Sequence, residues 1–436
     1  MRSLLLYCLF VLQACAGTQP TQTAAKDHAA IQLSEVERIE RTLASDEMQG
    51  RRAGTPGIEK AAAFIAAEFK KAGLQPVQGN SYLQEFTIVQ PKLLSVKGEM
   101  DGVEINPKNI VVISSQANLS INEKSGYKFQ TLSAANIRDP AQFGSVARTL
   151  IRSKENTVIF VDSSFATIFP RLSSFKRQMF KKDNNAVFIL GAYHPKQFSI
   201  KQEQSIEETK LANVVGMLPG NSKKNEYVIF SAHYDHLGIG RPVNGDSIYN
   251  GANDDAAGTT AVIMLANYFK KQGGNERTLV FAAFTAEEMG GFGSQYFSQQ
   301  YDPDQVIAMF NIEMIGTESK WGRNAAYITG YDRTDMGKIL QRNLEGSSFT
   351  FHPDPYPEQQ LFYRSDNATL ARLGVPAHTI STAKMDAEKY YHTVDDEVET
   401  LDMQNMAQII QAIAVSSKSI ISGRDTPSRV PTETLQ

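Results

Sequence analysis

Side chains able to hold a metal or move a proton recur in this sequence where predicted elements end. Ser231-Ala-His-Tyr-Asp-His-Leu-Gly238 carries His233 and Asp235, and Asn250-Gly-Ala-Asn-Asp-Asp-Ala-Ala-Gly258 carries Asp254 and Asp255. Glu287 and Glu288 are adjacent, Glu313 sits in Asn311-Ile-Glu-Met-Ile-Gly316, and His392 in Tyr390-Tyr-His-Thr-Val-Asp395. Each alone has an ordinary explanation. An Asp pair before a helix is a cap, a Glu pair at a strand end is a solvated loop, and a lone histidine packs or faces water. Gathered at one place they form a costly cluster, because neighbouring carboxylates raise each other's pKa unless a cation neutralises them. Mixed nitrogen and carboxylate donors suit Zn²⁺. No thiolate competes, since the two cysteines are Cys8 and Cys15.

The elements that position these residues follow from hydrophobic periodicity. Tyr227 to Ala232, Leu279 to Phe284, Val306 to Ile312 and Ala377 to Ile380 read as strands, the second a near-continuous apolar run of the kind buried on both faces. Helices are predicted over Ala256 to Lys271, Asp335 to Leu344, Asp366 to Leu373 and Asp402 to Ile421. Such alternation implies a largely parallel sheet between helices. In an open α/β sheet, sites form beyond the carboxyl ends of strands. His233 with Asp235, Glu287 with Glu288, and Glu313 each follow a different strand, so three strands deliver them to one edge. Nearer the N-terminus, a helix is expected around Ser34 to Ala44. A second is expected to open at Thr55-Pro56-Gly57, with a capping hydroxyl and proline at its first position, and to close at Gly73. Between them and the strands, 82–211 reads as an inserted α+β module with short strands Asn109 to Ile113, Thr157 to Val161 and Ala186 to Leu190.

The chain has 436 residues, 44 Lys+Arg and 47 Asp+Glu, for a net charge of −3. Without a basic excess it does not read as a nucleic-acid binder. Arg2 followed by the apolar run Leu4 to Leu12 reads as an export signal, too short to span a bilayer. Leu12-Gln13-Ala14-Cys15 resembles a bacterial lipobox, which implies an exported protein, periplasmic or in the cell envelope, lipid-anchored at Cys15. The alternative is a secretory signal cleaved near Ala16-Gly17. The expected layout is signal 1–15, flexible tether 16–33, catalytic domain 34–81 and 212–423, insert 82–211, and a polar, mobile tail 424–436.

Five separated motifs in order make the chain similar to the M28 family of zinc metallopeptidases, mostly aminopeptidases. The resemblance covers the α/β part nearly end to end and the segment Asp46-Glu-Met-Gln-Gly-Arg-Arg-Ala-Gly-Thr-Pro-Gly57. It implies two Zn²⁺ per chain. His233 and Glu313 would hold the first, Glu288 and His392 the second, and Asp254 would bridge both. Asp235 would orient the His233 imidazole, and the Asp254-Asp255 peptide would be cis, with Asp255 supporting the centre. Glu287 would be the general base, activating a water shared by the metals against peptide substrates. Tyr391 stands where some members place a tyrosine that steadies the tetrahedral intermediate. Tyr356, Phe362, Tyr363 and Arg364 are read as a substrate-pocket wall. The insert weakly resembles a protease-associated domain, and no obligate protein partner is evident.

Two departures stand out. The family usually has Asp where this chain has Glu313, whereas a related group of two-metal carboxypeptidases uses Glu at the corresponding place. Asn367 stands where relatives often have His. The reading is an exopeptidase removing N-terminal residues. Its alternatives are a carboxypeptidase or dipeptidase on this scaffold, a mono-zinc glutaminyl cyclase, and a non-catalytic binding lipoprotein.

Overall fold

The computed structural model describes residues 30–432 except 136, 138, 192 and 194. The expected export signal, with Cys8 and Cys15, and most of the expected tether lie outside the described residues. Four strands form the parallel centre of a mixed, 12-stranded sheet. Arg277–Phe284, Lys223–His233, Val306–Ile312 and Ala377–Ser381 lie side by side in that order. Arg277–Phe284 is buried at every residue and Val306–Ile312 at all but one, as expected for strands covered on both faces.

Alternate residues of Lys223–His233 feed two layers. Val228, Phe230 and Ala232 pack in the core shared with the helices Leu33–Leu43, Pro56–Lys71, Ala257–Gln272 and Met403–Ser416. Ile229 joins Val280 and Ala282 on the other face, under Phe297 of the helix Phe292–Ser298 and Leu370 of the helix Asn367–Ala371. The result is an α/β sandwich. Among the described residues no helix is long and apolar enough to cross a membrane.

At the sheet's flank Phe198–Leu218 pairs antiparallel with Arg277–Phe284. Leu83–Met100 pairs antiparallel with Phe198–Leu218, from Leu83 opposite Val214 to Met100 opposite Phe198. These strands of 18 and 21 residues leave the large sheet as a ribbon. Beyond them lies a separate four-stranded sheet, ordered Ile110–Ile113, Ala186–Leu190, Thr157–Val161, Lys128–Leu132. The stretch 82–211 thus shares its first and last strands with the large sheet, and the separate sheet spans 110–190.

Four local expectations are corrected. Thr55 precedes the helix Pro56–Lys71 but does not cap it with its hydroxyl, which donates to the Arg52 carbonyl at 2.7 Å. The helix expected over Asp366 to Leu373 is the shorter Asn367–Ala371. The final helix is two, Met403–Ser416 and Lys418–Ile421, broken at Ser417. The segment expected to be mobile after Gly423 is docked through 432. The buried Arg277 guanidinium donates to the Ile420 and Asp425 carbonyls and to Thr426 Oγ1. Val430 is buried under the sheet, and Arg429 donates to the Val306 carbonyl.

Candidate metal centre

In register, His233 lies opposite Phe284 and Ser231 opposite Asn311, so three strands end at one level. The residues that follow turn sharply. Ala286 before Glu287, Met314 after Glu313 and His392 itself all take left-handed backbone angles, φ 57°, 51° and 58°. Such conformations are costly for residues with a side chain and cluster at functional sites. Asp254 and Asp255, joined by a cis peptide, sit just before the helix Ala257–Gln272.

Asp254 lies between two histidines. Its Oδ1 is 3.2 Å from His233 Nε2, and its Oδ2 is 3.2 Å from His392 Nε2. His392 Nε2 is also 3.2 Å from Glu288 Oε1. Although equidistant from two carboxylate oxygens, that buried nitrogen makes a hydrogen bond to neither. The geometry is that of donors converging on a common centre. Two donors on one tetrahedral zinc stand about 3.3 Å apart, given zinc–donor bonds of about 2.0–2.1 Å.

Glu313 is half-buried, with its Oε2 atom buried and unpartnered. Burial, together with Asp254 and Asp366 nearby, pushes its pKa up to about 7 against the opposing pull of His233. Glu287 is pushed well above the usual range by burial, and Asp366, Glu313 and Asp235 add to the effect. Asp254 moves the other way: burial opposes ionisation, but contacts with His233 and His392 outweigh it. His392 is pushed up to about 10 by Asp254 and Glu288. So many acids against so few cationic groups at one buried edge require positive charge, and divalent ions supply it. The donor set of imidazoles and carboxylates, with an orphaned carboxylate oxygen, fits zinc.

The residues around these donors hold them from the backbone outward. Asp255 Oδ1 accepts from Gly258 N and Met314 N, both at 3.0 Å, and Oδ2 accepts from His233 N at 3.3 Å. It accepts from the first turn of the helix and ties three loops together. Asp235 differs from expectation. Its carboxylate lies 3.8 Å from His233 Nδ1, which is nearer the Asp235 carbonyl at 3.1 Å. Asp235 Oδ1 and Oδ2 instead accept from Glu287 N and Glu288 N at 3.0 and 3.3 Å. It positions the glutamate pair more directly than the imidazole.

Three contributors escape sequence reasoning. Asp396 accepts from Asn253 N at 2.8 Å and from Asp254 N at 3.0 Å. Arg51, wholly buried, donates to the carbonyls of Leu43, Tyr234, Asn250 and Gly251 at 2.6–2.8 Å. It joins the leading segment to two site loops. His236, buried, places Nδ1 3.1 Å from Glu288 Oε1. His236, Asp254 and Glu288 together form a group with metal-ligand spacing.

The expected pocket wall is only partly realised. A cavity beside Glu313 is lined by Tyr327, Leu361, Arg364, Met385 and Tyr391 among others. Phe362 and Tyr363 face away from it. In the 3-10 turn Leu361–Tyr363, residues three apart share a face, so Leu361 and Arg364 reach the cavity. Phe362 packs in the core against His378, and Tyr363 lies between Arg333 and Arg372. Tyr356 packs on Tyr327 behind the cavity. Tyr391 stacks on His392 with ring centroids 3.9 Å apart. Asn367 is fully buried and clamps the Phe362 and Ala377 carbonyls and the Thr379 hydroxyl.

Residues 213–416 match the model of Peptidase family M28. A "Probable leucine aminopeptidase" of Trichophyton verrucosum (strain HKI 0517) is 28% identical over 217 residues, 48% of this chain and 57% of that protein. "Leucine aminopeptidase 1" of Ajellomyces capsulatus (strain H88) is 26% identical over 268 residues, 56% of this chain and 66% of that one. The chain therefore spans little more than half the length of the first of these relatives. The fold is shared with an aminopeptidase from Aneurinibacillus sp. strain AM-1, at TM-score 0.52 and 15% identity over 93% of this chain and 97% of that one. It is shared too with BSAP, a zinc aminopeptidase from Bacillus subtilis, at TM-score 0.53 and 16% identity over 90% and 96%.

Proposed function

We propose, from the match of residues 213–416 to the model of Peptidase family M28, that the chain is a two-zinc aminopeptidase that removes N-terminal residues from peptides. The observation that carries this reading is Asp254, whose two oxygens face different histidines at the same 3.2 Å. One carboxylate so placed can serve two ions at once. His233 and Glu313 would hold one zinc, and Glu288 and His392 the other. Bound zinc would acidify a water and polarise the scissile carbonyl.

The protein's own groups do the rest. Glu287 takes the proton of the attacking water and delivers it to the leaving amine. Its pKa is raised, first by burial, which makes its carboxylate a stronger base. Tyr391 is held protonated by burial and by Asp254 and Glu288 nearby. Its hydroxyl is thus available to donate to the carbonyl oxygen as negative charge builds there. The cavity beside Glu313 receives a substrate side chain, with Leu361 and Arg364 setting its character.

A second reading, a carboxypeptidase or dipeptidase, is favoured by Arg364, an exposed guanidinium lining that cavity and able to bind a substrate carboxylate. Peptides blocked at either end separate the two. Cleavage of carboxyl-blocked but not amino-blocked peptides supports the aminopeptidase. The N-terminal sequence supports export and lipid attachment at Cys15, and unchanged membrane association of Cys15→Ala would remove the anchor.

A further inference from the structure

Resting on the two-zinc reading, we propose that His236 is the positioning residue of Glu288, and that through this contact it sets the affinity of the second zinc site without being a ligand. Its ring is held closely on several sides. A Cβ added to Gly251 would lie 2.5 Å from both His236 Cγ and Cδ2, so the imidazole is pressed against a backbone that only glycine leaves open. On another side it meets His392 edge-on, with ring centroids 5.6 Å apart. From behind, the His236 backbone N–H donates to the Arg51 carbonyl at 3.3 Å.

The two ring nitrogens have unequal surroundings. Nδ1 is 3.1 Å from Glu288 Oε1 and 3.8 Å from Asp254 Oδ2, whereas Nε2 is buried with no partner. With the proton on Nδ1, the ring donates to Glu288 and leaves only a lone pair unsatisfied at Nε2. With the proton on Nε2, an N–H is buried without an acceptor, and two lone pairs face each other at Nδ1 and Oε1. Orphaned buried donors are rarer than orphaned acceptors, which selects the Nδ1–H form. Direct coordination through Nδ1 would require the disfavoured form. The bond therefore fixes the Glu288 oxygen that also stands 3.2 Å from His392 Nε2. Groups that orient a ligand in this way typically change metal affinity about 10–100-fold.

The test is a zinc titration of the full chain against a competing chelator, for wild type, His236→Ala and His236→Asn. The Asn amide can present an N–H close to where Nδ1–H stands, but it cannot replace an imidazole ligand. The expected result is that His236→Ala keeps the tighter site and weakens the other about 10–100-fold, and that His236→Asn recovers most of the loss. Wild-type binding of both ions by His236→Ala overturns the proposal. So does an Asn variant as weak as Ala, which would make the imidazole itself the ligand, and so does equal loss of both sites in both variants. A wild-type chain that takes up one zinc overturns the two-zinc reading and this proposal together, so the two failures are distinguishable.

Discussion

Asp396 holds Asp254 by its backbone: the Asp396 carboxylate accepts Asp254 N at 3.0 Å and Asn253 N at 2.8 Å. The carboxylate that faces two histidines is thus carried on a peptide that another acid grips. Asp396 is itself pushed up to about 6, chiefly by burial, with Asp254 nearby adding to it. An asparagine side chain there keeps one acceptor and turns an amide donor toward a backbone donor. Asp396→Asn should cost about 1–3 kcal/mol of stability, the penalty of an unsatisfied buried group, and weaken both zinc sites. Chelator competition and denaturant unfolding measure the two effects.

Arg51 supports the same loops from the other side. Its substitution by Met leaves the Leu43, Tyr234, Asn250 and Gly251 carbonyls without their donor. Arg51 also faces Glu40, which is buried and pushed up to about 8, first by that burial. Leaving buried carbonyls without a donor typically costs about 1–3 kcal/mol each. Arg51→Met should lose at least that much in urea unfolding, and zinc affinity should fall with it.

These contributors show where the sequence stops being legible. Glu313 and the Glu287–Glu288 pair are legible as candidates because buried strands leave continuous apolar runs, and an acid just beyond stands out. Arg51 is not, because its acceptors are backbone atoms up to 200 residues away that any sequence would offer. His236 reads as one more histidine in a rich motif, and only the room left by Gly251 defines its place. The long strands Leu83–Met100 and Phe198–Leu218 are not legible because Pro91 interrupts the first and the stretch 202–210 of the second is polar apart from Ile206. Nor is the docked C-terminal segment, because its anchor, Arg277, lies on a strand far earlier in the chain.

The stability of the zinc-free chain and the gain on adding zinc should depend on pH in opposite senses. Burial pushes Asp235 and Glu313 up to about 7 and Asp396 up to about 6, against ordinary values near 4. An acid whose pKa is higher in the fold binds its proton more tightly there, so stability falls as pH rises between the two values. The zinc-free chain should therefore lose stability from about pH 4 to 7. His392, pushed up to about 10 by Asp254 and Glu288, extends the decline above its ordinary value. Zinc needs the deprotonated ligands, so the gain in Tm on adding zinc should grow from pH 5 to 7. Thermal melts with and without zinc at each pH check this, and an equal gain at both ends contradicts it.

The residues around the cavity should divide by role. Phe362 is core, so Phe362→Ala should cost about 3–5 kcal/mol in unfolding. Arg364 is exposed at the cavity, so Arg364→Ala should leave stability within about 0.5 kcal/mol. It should instead change KM and the preference among substrate side chains. Unfolding curves and a panel of peptides read the two apart.

The most direct test is zinc per chain measured beside peptide turnover, in wild type and in Glu287→Gln. The substituted amide would occupy the same space, touch no metal and carry no basic carboxylate. The expected result is two zinc ions per chain in both proteins, with turnover in the variant lower by about 10²–10⁴-fold. A wild-type chain with fewer than two zinc ions, or a Glu287→Gln chain that turns over normally, contradicts the account.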